Sequence, residues 1–350
     1  MIRTRATFIE HISTKDPKTV LAYNNRIDNF ERYCAEKHGR AEIIDILKKD
    51  WHDILQLYIN WLTRDHAPST VWNYFTSIRK YLHYRGVRIT KDDVDDELEL
   101  PKKVEKDMHP LQLEEIRQIL KEMRHRDKVL FMFQVSSGVR IGELVQLQKK
   151  HFILDRERIM VKISSRIAKF RRARTTFVTK ETGMMLTSIL KQKNDDDLVF
   201  GTVNDVHAAE STKGDLLRRH LKMHGLDEKY EETGFHKINT HSFRAYFVTK
   251  ASRSDANIAK KLAGEKGYLL QYDRLTDDEL LEEYLKFEDS LLIYDDSIKA
   301  AKVAKLNREN DENKKLIHNM QIQIDVMQKN FYKQLTSKMY GDEKLDASKL

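Results

Sequence analysis

Apolar positions recur at helical spacing through most of the first hundred residues. In three segments they return every three or four positions, which places them on one face of a helix. These segments open at Asp16-Pro17, at Trp51 and at Pro68. Their apolar positions are Val20, Tyr23, Ile27 and Phe30; Trp51, Ile54, Leu55, Tyr58 and Leu62; and Val71, Tyr74, Ile78, Tyr81 and Leu82. The pattern predicts a helical domain over residues 1–97.

A polar stretch bounded by prolines, residues 98–110, lacks this periodicity and predicts an interdomain linker. Helical spacing resumes at 111–122, where the first turn is acidic, and an apolar helix follows at 129–135. Ser136-Ser-Gly-Val-Arg140 then breaks the helix before another begins at Ile141.

The stretch 158–178 changes to the period of a β-strand. Ile159, Val161 and Ile163 occupy alternate positions, a stretch rich in basic residues fills 164–174, and the residues after it favour strand. This pattern predicts a basic β-hairpin inside a mixed α/β domain that spans residues 111–296. The fold class is therefore mainly α with a small β-sheet.

A heptad pattern covers residues 297–336. Its a positions are Val303, Asn310, Ile317, Ile324 and Phe331, and its d positions are Leu306, Asn313, Met320 and Met327. Asparagines in the seam weaken a coiled coil but fix its register and number of strands. The pattern predicts a C-terminal coiled-coil helix for self-association, followed by a tail at 337–350. The alternative is an amphipathic helix packed on its own domain.

Composition narrows the class of partner. The chain has 350 residues and a formal net charge of +8, which favours a polyanion such as nucleic acid. No apolar run approaches the roughly 20 residues that span a bilayer, and Met1 to Glu10 lack the apolar core of a secretory signal. The single cysteine, Cys34, allows neither an internal disulfide nor a cysteine zinc cluster. We therefore expect an intracellular protein without membrane contact.

Two short motifs combine groups that bind and protonate phosphate. Arg140 enters a helix, where its guanidinium and helix N–H groups can meet an anion, and Glu143 lies one turn later to orient it. His241 and Arg244 are three residues apart and share a helix face. Arginine binds two phosphate oxygens at once and histidine moves a proton. Each motif alone is more typical of an ordinary pair of polar residues on a helix face.

The order of these motifs resembles the tyrosine recombinase (phage-type integrase) family. Ser-Gly-Val-Arg140-Ile-Gly-Glu143-Leu is similar to its first arginine box and His241-Ser-Phe-Arg244 to its second. A third box runs from Gly264-Glu265 to Tyr272-Asp-Arg274. The stretch from Tyr272 to Ile293 looks most like integrases of archaea and their viruses and plasmids. The resemblance implies a helical core-binding domain, a catalytic domain, and a clamp around duplex DNA.

The resemblance also implies the role of each residue. Arg140 and Arg244 would hold the scissile phosphate, and His241 would help to deprotonate the nucleophile. Lys169 in the hairpin would protonate the leaving 5′-oxygen, with Lys162 as the other choice. Tyr272 is the favoured nucleophile; Tyr284 lies among apolar neighbours, and Tyr268 and Tyr294 are less suitable.

Glu265 departs from the family, which usually has histidine or tryptophan there. A carboxylate repels phosphate and donates no hydrogen bond unless protonated. Either Glu265 points away and pairs with Lys266 or Lys261, or this subgroup uses another residue.

Duplex DNA is the partner that the resemblance implies, with a tetramer assembled on it and no metal or other cofactor. Backbone contacts are expected from Lys149, Lys150, Arg166, Arg171, Arg172, Arg174, Arg218 and Arg219. We expect a cytoplasmic, nucleoid-associated enzyme from a mobile genetic element. The alternatives are a type IB topoisomerase, a catalytically impaired DNA-binding relative, and a non-enzymatic coiled-coil adaptor.

Overall fold

The computed structural model describes residues 3–102, 108–201, 205–231, 233–265, 267 and 274–340; within α15, defined below, the side chains of 301 and 335–340 are not described. The chain divides into two compact units. The first unit comprises residues 1–108 and 229–235, and the second comprises 109–228 and 236–350. The sequence did not indicate that 229–235 groups with the N-terminal residues.

The first unit is helical, as its apolar pattern predicts. Its helices are α1 (Arg5–His11), α2 (Pro17–His38), α3 (Ile44–Leu47), α4 (His52–Leu62), α5 (Pro68–Tyr84) and α6 (Lys91–Glu97). Asp16 caps α2, and prolines occupy the first turns of α2 and α5, where a missing N–H costs nothing. The core contains a packed aromatic group in which Tyr58 lies 4.9 Å from Phe30 and 5.1 Å from Tyr33 between ring centroids.

The second unit surrounds one helix that is buried over most of its length. Its helices before the sheet are α7 (Leu113–Lys121), α8 (His125–Ser137) and α9 (Ile141–Leu144), and those after it are α10 (Lys180–Leu190), α11 (Val206–Met223), α12 (Thr240–Ser252), α13 (Ala256–Ala263), α14 (Asp277–Leu285) and α15 (Asp295–Tyr340). From Val129 to Ser137, every residue of α8 is buried. Helix α12 packs against both α8 and α13, which brings the second arginine motif beside the first.

The hairpin is present, within a three-stranded antiparallel sheet in the order β1–β2–β3. The strands are β1 (Phe152–Ile153), β2 (Met160–Ile163) and β3 (Arg174–Phe177). Ile163 pairs with Arg174 at the end of the β2–β3 hairpin that adjoins the connecting loop. Arg174 therefore begins a strand and does not belong to the connecting loop as the sequence indicated. These elements confirm a mainly helical fold with a small sheet.

Helix α15 is the last helix of the second unit. Its start is fixed by Glu181, whose carboxylate accepts hydrogen bonds from the N–H groups of Ile293 and Tyr294 at 2.9 and 2.8 Å. Arg117 adds a bond to the Ile293 carbonyl and an ion pair with Asp295, both at 2.6 Å. The predicted C-terminal helix is confirmed. Whether it forms a coiled coil stays a prediction.

Candidate active site

Arg140 follows a sharp turn that Gly138 makes possible. Helix α8 ends at Gly138 with a left-handed φ of 64°. A Cβ atom at this position would also collide with the ring of Phe247 on α12. Glycine therefore serves both the backbone conformation and the close approach of α12. Two residues later, Arg140 is the N-cap of the short helix α9.

His241 and Arg244 lie in the first turns of α12. The Asn239 side chain caps this helix by accepting a hydrogen bond from the His241 N–H at 2.8 Å. Arg244 is one turn further along the same face and is only 2% exposed. Its Nη1 donates to the carbonyls of Gly138 and Ala263, the latter at 2.5 Å. These bonds hold the guanidinium between the end of α8 and the end of α13.

Three arginines, Arg140, Arg174 and Arg244, meet at the carboxyl end of α13, and we call them the arginine cluster. Arg174 Nε donates to the Leu262 carbonyl at 3.0 Å, and Arg140 Nη1 donates to the Gly264 carbonyl at 3.2 Å. The last carbonyls of a helix lack intrahelical partners and carry partial negative charge. They therefore offset part of the repulsion among the three cations.

Glu143 supplies the other buried countercharge of the cluster. Its carboxylate pairs with Arg174 Nη2 at 2.5 Å and accepts the backbone N–H of Lys169 at 3.1 Å. The contact with the Arg140 side chain is longer, 3.4 Å, and a further bond joins it to the Arg140 N–H at 3.2 Å. Burial alone would raise the pKa of Glu143, but Arg174, the Lys169 N–H and Arg140 together hold the pKa below its ordinary value.

The cluster also changes the acid–base properties of its neighbours. Burial, reinforced by the charge of Arg140, lowers the pKa of Arg244 to about 10, although Glu265 opposes the change. Partial loss of solvation lowers the pKa of His241 below its ordinary value of about 6.5. The charges of Arg244, Arg140 and Lys169 act in the same direction. The imidazole is therefore neutral at pH 7 and has a nitrogen available to accept a proton.

Lys169 and Lys162 differ in what holds them. Lys169 lies in the loop between β2 and β3, its side chain is exposed, and its charge reaches His241. Lys162 instead pairs with Asp277 at 2.6 Å. Phe170, next to Lys169, lies over the guanidinium of Arg140 with 5.2 Å between Cζ and the ring centroid. This geometry favours Lys169 over Lys162 as the lysine of the site.

The candidate tyrosines that the structure describes differ in how deeply they are buried. Tyr272 and Tyr268 lie outside the described residues. Tyr284 is fully buried, its hydroxyl donates to the Ser136 carbonyl at 2.8 Å, and burial raises its pKa well above the ordinary value of about 10. A phenol held this way is a packing residue and a poor nucleophile. The pKa of Tyr294 is raised too, by partial burial and by Glu181.

Glu265 does not point away from the site, as one sequence interpretation expected. Its Oε1 lies 3.2 Å from Arg244 Nη2. The carboxylate is partly exposed, whereas the arginine is buried. Glu265 therefore occupies the side of Arg244 that faces solvent, where a bound anion would compete with it.

Several predicted DNA-contacting residues have local partners. Arg174 is only 7% exposed and belongs to the arginine cluster, so its assignment as a surface contact was wrong. Lys149 donates to the Lys193 carbonyl at 2.7 Å, Lys150 pairs with Asp196 at 2.6 Å, and Arg218 pairs with Asp215. In contrast, Arg166, Arg171, Arg172 and Arg219 are exposed.

The strand period could have identified Arg174 as buried. Arg174 shares one face of β3 with Thr176, which is fully buried and bonded to the Ser137 carbonyl. The sequence interpretation instead weighed Arg174 by the basic residues before it. Phe170 and its contact with Arg140 were also missed, and no signal in the sequence marks that contact.

Potential metal ligands come together at one place in the described part of the chain. Asp50, His52 and Asp53 are near one another in the first unit, and all three are exposed. Such exposed groups are common without an ion, and none of the site residues above belongs to this set.

Comparison with known proteins finds a family match that covers much of the second unit. Residues 107–262 match the model of the phage integrase family. Tyrosine recombinase XerC of Roseiflexus castenholzii is 25% identical over 169 residues, 43% of this chain and 51% of that relative. Transposase A from transposon Tn554 of Staphylococcus aureus is 25% identical over 201 residues, 52% of this chain and 53% of that relative. The chain thus spans about half the length of these two relatives.

The fold agrees with these matches. A lambda integrase dimer bound to a COC′ core site superposes with a TM-score of 0.56 at 14% identity, covering 78% of this chain and 97% of that one. Among the described residues, no helix combines the length and apolar character that crossing a membrane requires. The matched residues 107–262 contain Arg140, His241 and Arg244. These three residues therefore lie in a segment that matches the phage integrase family, and a relative of similar sequence is a tyrosine recombinase.

Proposed function

We propose that this chain is a site-specific DNA recombinase that cuts and rejoins strands through a tyrosine, without metal or nucleotide. One observation carries the proposal. Arg140 and Arg244, distant in sequence, both bond to the carbonyl of Ala263, and both lower the pKa of His241 nearby. Two fixed guanidinium groups beside a neutral imidazole form a site for a phosphodiester and for the charge that grows on it during displacement.

The reaction would proceed by two exchanges at phosphorus. The Tyr272 hydroxyl attacks the scissile phosphate, passes its proton towards His241, and forms a 3′-phosphotyrosyl bond. The bond from phosphorus to the 5′-oxygen breaks, and Lys169 donates a proton to that oxygen. A 5′-hydroxyl of another strand then attacks the phosphotyrosyl bond and releases the tyrosine. The covalent intermediate keeps the phosphodiester energy, so the cycle consumes no nucleotide.

The second candidate is a DNA-binding relative with impaired catalysis. Glu265 favours it, because a carboxylate 3.2 Å from Arg244 competes with the phosphate for the same guanidinium. In an active enzyme the phosphate displaces Glu265. In an impaired one it does not, and DNA binds without being cut.

Assembly follows from the chemistry, because exchange between two duplexes uses four active sites and therefore four subunits on DNA. We infer that α15 contributes to this assembly. Its a and d side chains are exposed, from 46% at Ile324 to 70% at Met327. An exposed apolar seam of this length fits a second copy of the same helix. The enzyme would act on intracellular, nucleoid-associated DNA, as part of an archaeal mobile element.

The heptads favour two parallel strands. Branched residues occupy most a positions, and an asparagine at one a position specifies two strands. In a parallel pair, Glu309 at g faces Lys314 at the e position of the partner helix, a pairing of opposite charge. These features support a parallel, two-stranded coiled coil for α15.

Sedimentation of the full chain tests this coiled coil. Ile317→Asp should halve the mass of the species, whereas Ile322→Asp, equally apolar but off the seam, should not. Glu309→Lys should weaken the dimer, and adding Lys314→Glu should restore it. A monomeric wild type, or equal effects of the two isoleucine variants, would overturn the assignment.

Adduct formation tests the enzymatic proposal. Wild type is incubated with duplexes that carry a nick beside the cleavage position, so that the short fragment diffuses away after cleavage. The flanking arms of these duplexes have randomised sequences. A denaturing gel should show a covalent protein–DNA species whose arms, once sequenced, share one site. Tyr272→Phe should abolish the adduct. Tyr284→Phe should retain it and cost about 1–2 kcal/mol of stability, because the Ser136 carbonyl loses its partner.

Each other outcome is informative. An adduct that survives Tyr272→Phe but disappears in Tyr284→Phe would assign the nucleophile to Tyr284. Specific binding without any adduct would support the impaired relative. Plasmid relaxation without strand exchange between sites would instead identify a topoisomerase.

A further inference from the structure

Arg174 is surrounded by the parts of the site that must be aligned. Its Nη2 and Nη1 contact the two oxygens of Glu143 at 2.5 and 3.3 Å, and its Nε donates to the Leu262 carbonyl at 3.0 Å. Glu143 in turn bonds to the backbone of Lys169 and of Arg140. One guanidinium thus connects the start of β3, the loop that carries Lys169, the start of α9 and the end of α13.

Gly264 is shaped to receive this guanidinium. Its φ of 68° is left-handed, and a Cβ built on it would lie 2.7 Å from Cζ, Nε and Nη1 of Arg174. That distance is shorter than any ordinary van der Waals contact, so the planar group lies directly against the glycine. The chain therefore leaves Gly264 without a side chain where Arg174 packs, at the start of the segment that leads to Tyr272.

We propose that Arg174 is a positioning residue for the recombinase reaction, acting through Glu143 to hold Arg140 and the Lys169 loop in register with the end of α13. The inference rests on the proposed function. Arg174 does not touch DNA, although it follows a run of exposed arginines in the sequence. Its effect falls on the rate of strand cleavage and leaves the affinity for DNA unchanged.

Arg158 provides a matched control in the same unit. It also makes a two-pronged contact with a buried glutamate, Glu288, at 2.7 and 2.8 Å. Its side chain is 14% exposed, and neither partner touches the arginine cluster. Loss of Arg158 therefore removes a buried ion pair of the same kind without disturbing the site.

The experiment compares Arg174→Gln and Arg158→Gln with wild type in the full chain. Both variants should unfold at lower temperature. At saturating DNA, Arg174→Gln should form adduct about 10²-fold more slowly, because a displacement near 1 Å has that cost. Arg158→Gln should cut within threefold of wild type below its unfolding temperature. The salt dependence of binding should be the same for all three proteins.

A pH profile separates positioning from stability. Without Arg174, Glu143 loses the cation that most strongly opposes the effect of burial, so its pKa rises. Cleavage by Arg174→Gln should then show a second rise with increasing pH, as Glu143 ionises, in addition to the rise that follows deprotonation of His241. Wild type and Arg158→Gln should show the His241 rise alone. Gly264→Ala should lower the cleavage rate of wild type much more than that of Arg174→Gln, because the collision involves the guanidinium.

Three results would overturn the proposal. A shallower salt dependence in Arg174→Gln would make Arg174 a DNA contact. Equal loss of cleavage in both variants, or a pH profile of Arg174→Gln like that of wild type, would reduce it to a stability residue. Failure of the recombinase proposal itself is distinguishable, because wild type would form no adduct. Hydrogen exchange at the Lys169 amide would then still test whether Arg174 holds Glu143 in place. This amide should exchange faster in Arg174→Gln than in Arg158→Gln.

Discussion

The arginine cluster and the loop between β2 and β3 carry charge of the same sign in opposite environments. In the cluster, each guanidinium is fixed by helix-end carbonyls or by Glu143, and Arg244 is 2% exposed. In the loop, Arg166, Arg171 and Arg172 are exposed. The difference in burial predicts two different roles for basic residues in the proposed reaction. Fixed cations would stabilise charge at one phosphate, whereas exposed cations would add affinity along the backbone of DNA.

The largest expected effect comes from replacing the most buried cation. Arg244→Lys keeps the charge but loses the planar group that bonds Gly138 and Ala263. Adduct formation at saturating DNA should fall about 10²- to 10³-fold, as for loss of a transition-state donor. Arg253→Lys, an exposed arginine just beyond the same helix, should stay within threefold. If Arg244→Lys lowered only the affinity for DNA, Arg244 would act like the exposed arginines of the loop, and the difference between the cluster and the loop would disappear.

Lys169 lies between the two environments, since its amide is fixed by Glu143 while its side chain is exposed. Lys169→Ala should slow cleavage about 10²- to 10⁴-fold if the amine acts as a general acid. On a duplex with sulfur in place of the bridging 5′-oxygen, the rate should recover, because a thiolate leaves without protonation.

Lys162→Ala serves as the control for this measurement. Its amine pairs with Asp277, so neither substrate should show more than a small change. Recovery on sulfur by Lys162→Ala, and none by Lys169→Ala, would reverse the assignment.

The sequence predicted the elements better than it predicted the role of each charge. Helical period identified the helices of the first unit, and strand period identified the hairpin, because both depend on local spacing. The sequence interpretation grouped Arg174 with Arg172, although the strand period indicates a buried position for Arg174. The partners that hold it, Glu143 and Leu262, are distant in the chain, so local spacing does not reveal its role. The contact between Glu265 and Arg244 is likewise set by the packing of α12 on α13.

The pH dependence of cleavage gives a smaller effect that reports on the cluster. The pKa of His241 lies below about 6.5, so the imidazole is neutral at pH 7 and becomes protonated only as the pH falls further. Cleavage should be flat from pH 8 to pH 7 and should decline in acid. Glu265→Gln removes a charge that raises this pKa, so the decline should move to lower pH. A shift to higher pH would contradict the geometry, and His241→Gln should abolish the decline.

The smallest expected effect concerns the exposed arginines of the loop between β2 and β3. Arg171→Gln and Arg172→Gln should each reduce the slope of log affinity against log salt by about 0.9, the value for one phosphate contact. Affinity at moderate salt should fall by less than tenfold, and cleavage at saturating DNA should not change. Lys150→Gln should alter the slope less, because its amine already pairs with Asp196 at 2.6 Å.

Comparing this salt slope with the cleavage rate also shows whether the exposed loop contributes to catalysis as well as to DNA affinity. If Arg171→Gln slows cleavage at saturating DNA, the loop takes part in aligning Lys169, which precedes Arg171 by two residues. The positive φ of 53° at Arg171 makes such a role structurally possible, since that backbone conformation shapes the turn of the loop. Arg171→Gly, which keeps the conformation and removes the charge, should then restore cleavage but not the slope. Arg172→Gln should change the slope alone, because its backbone carries no such constraint.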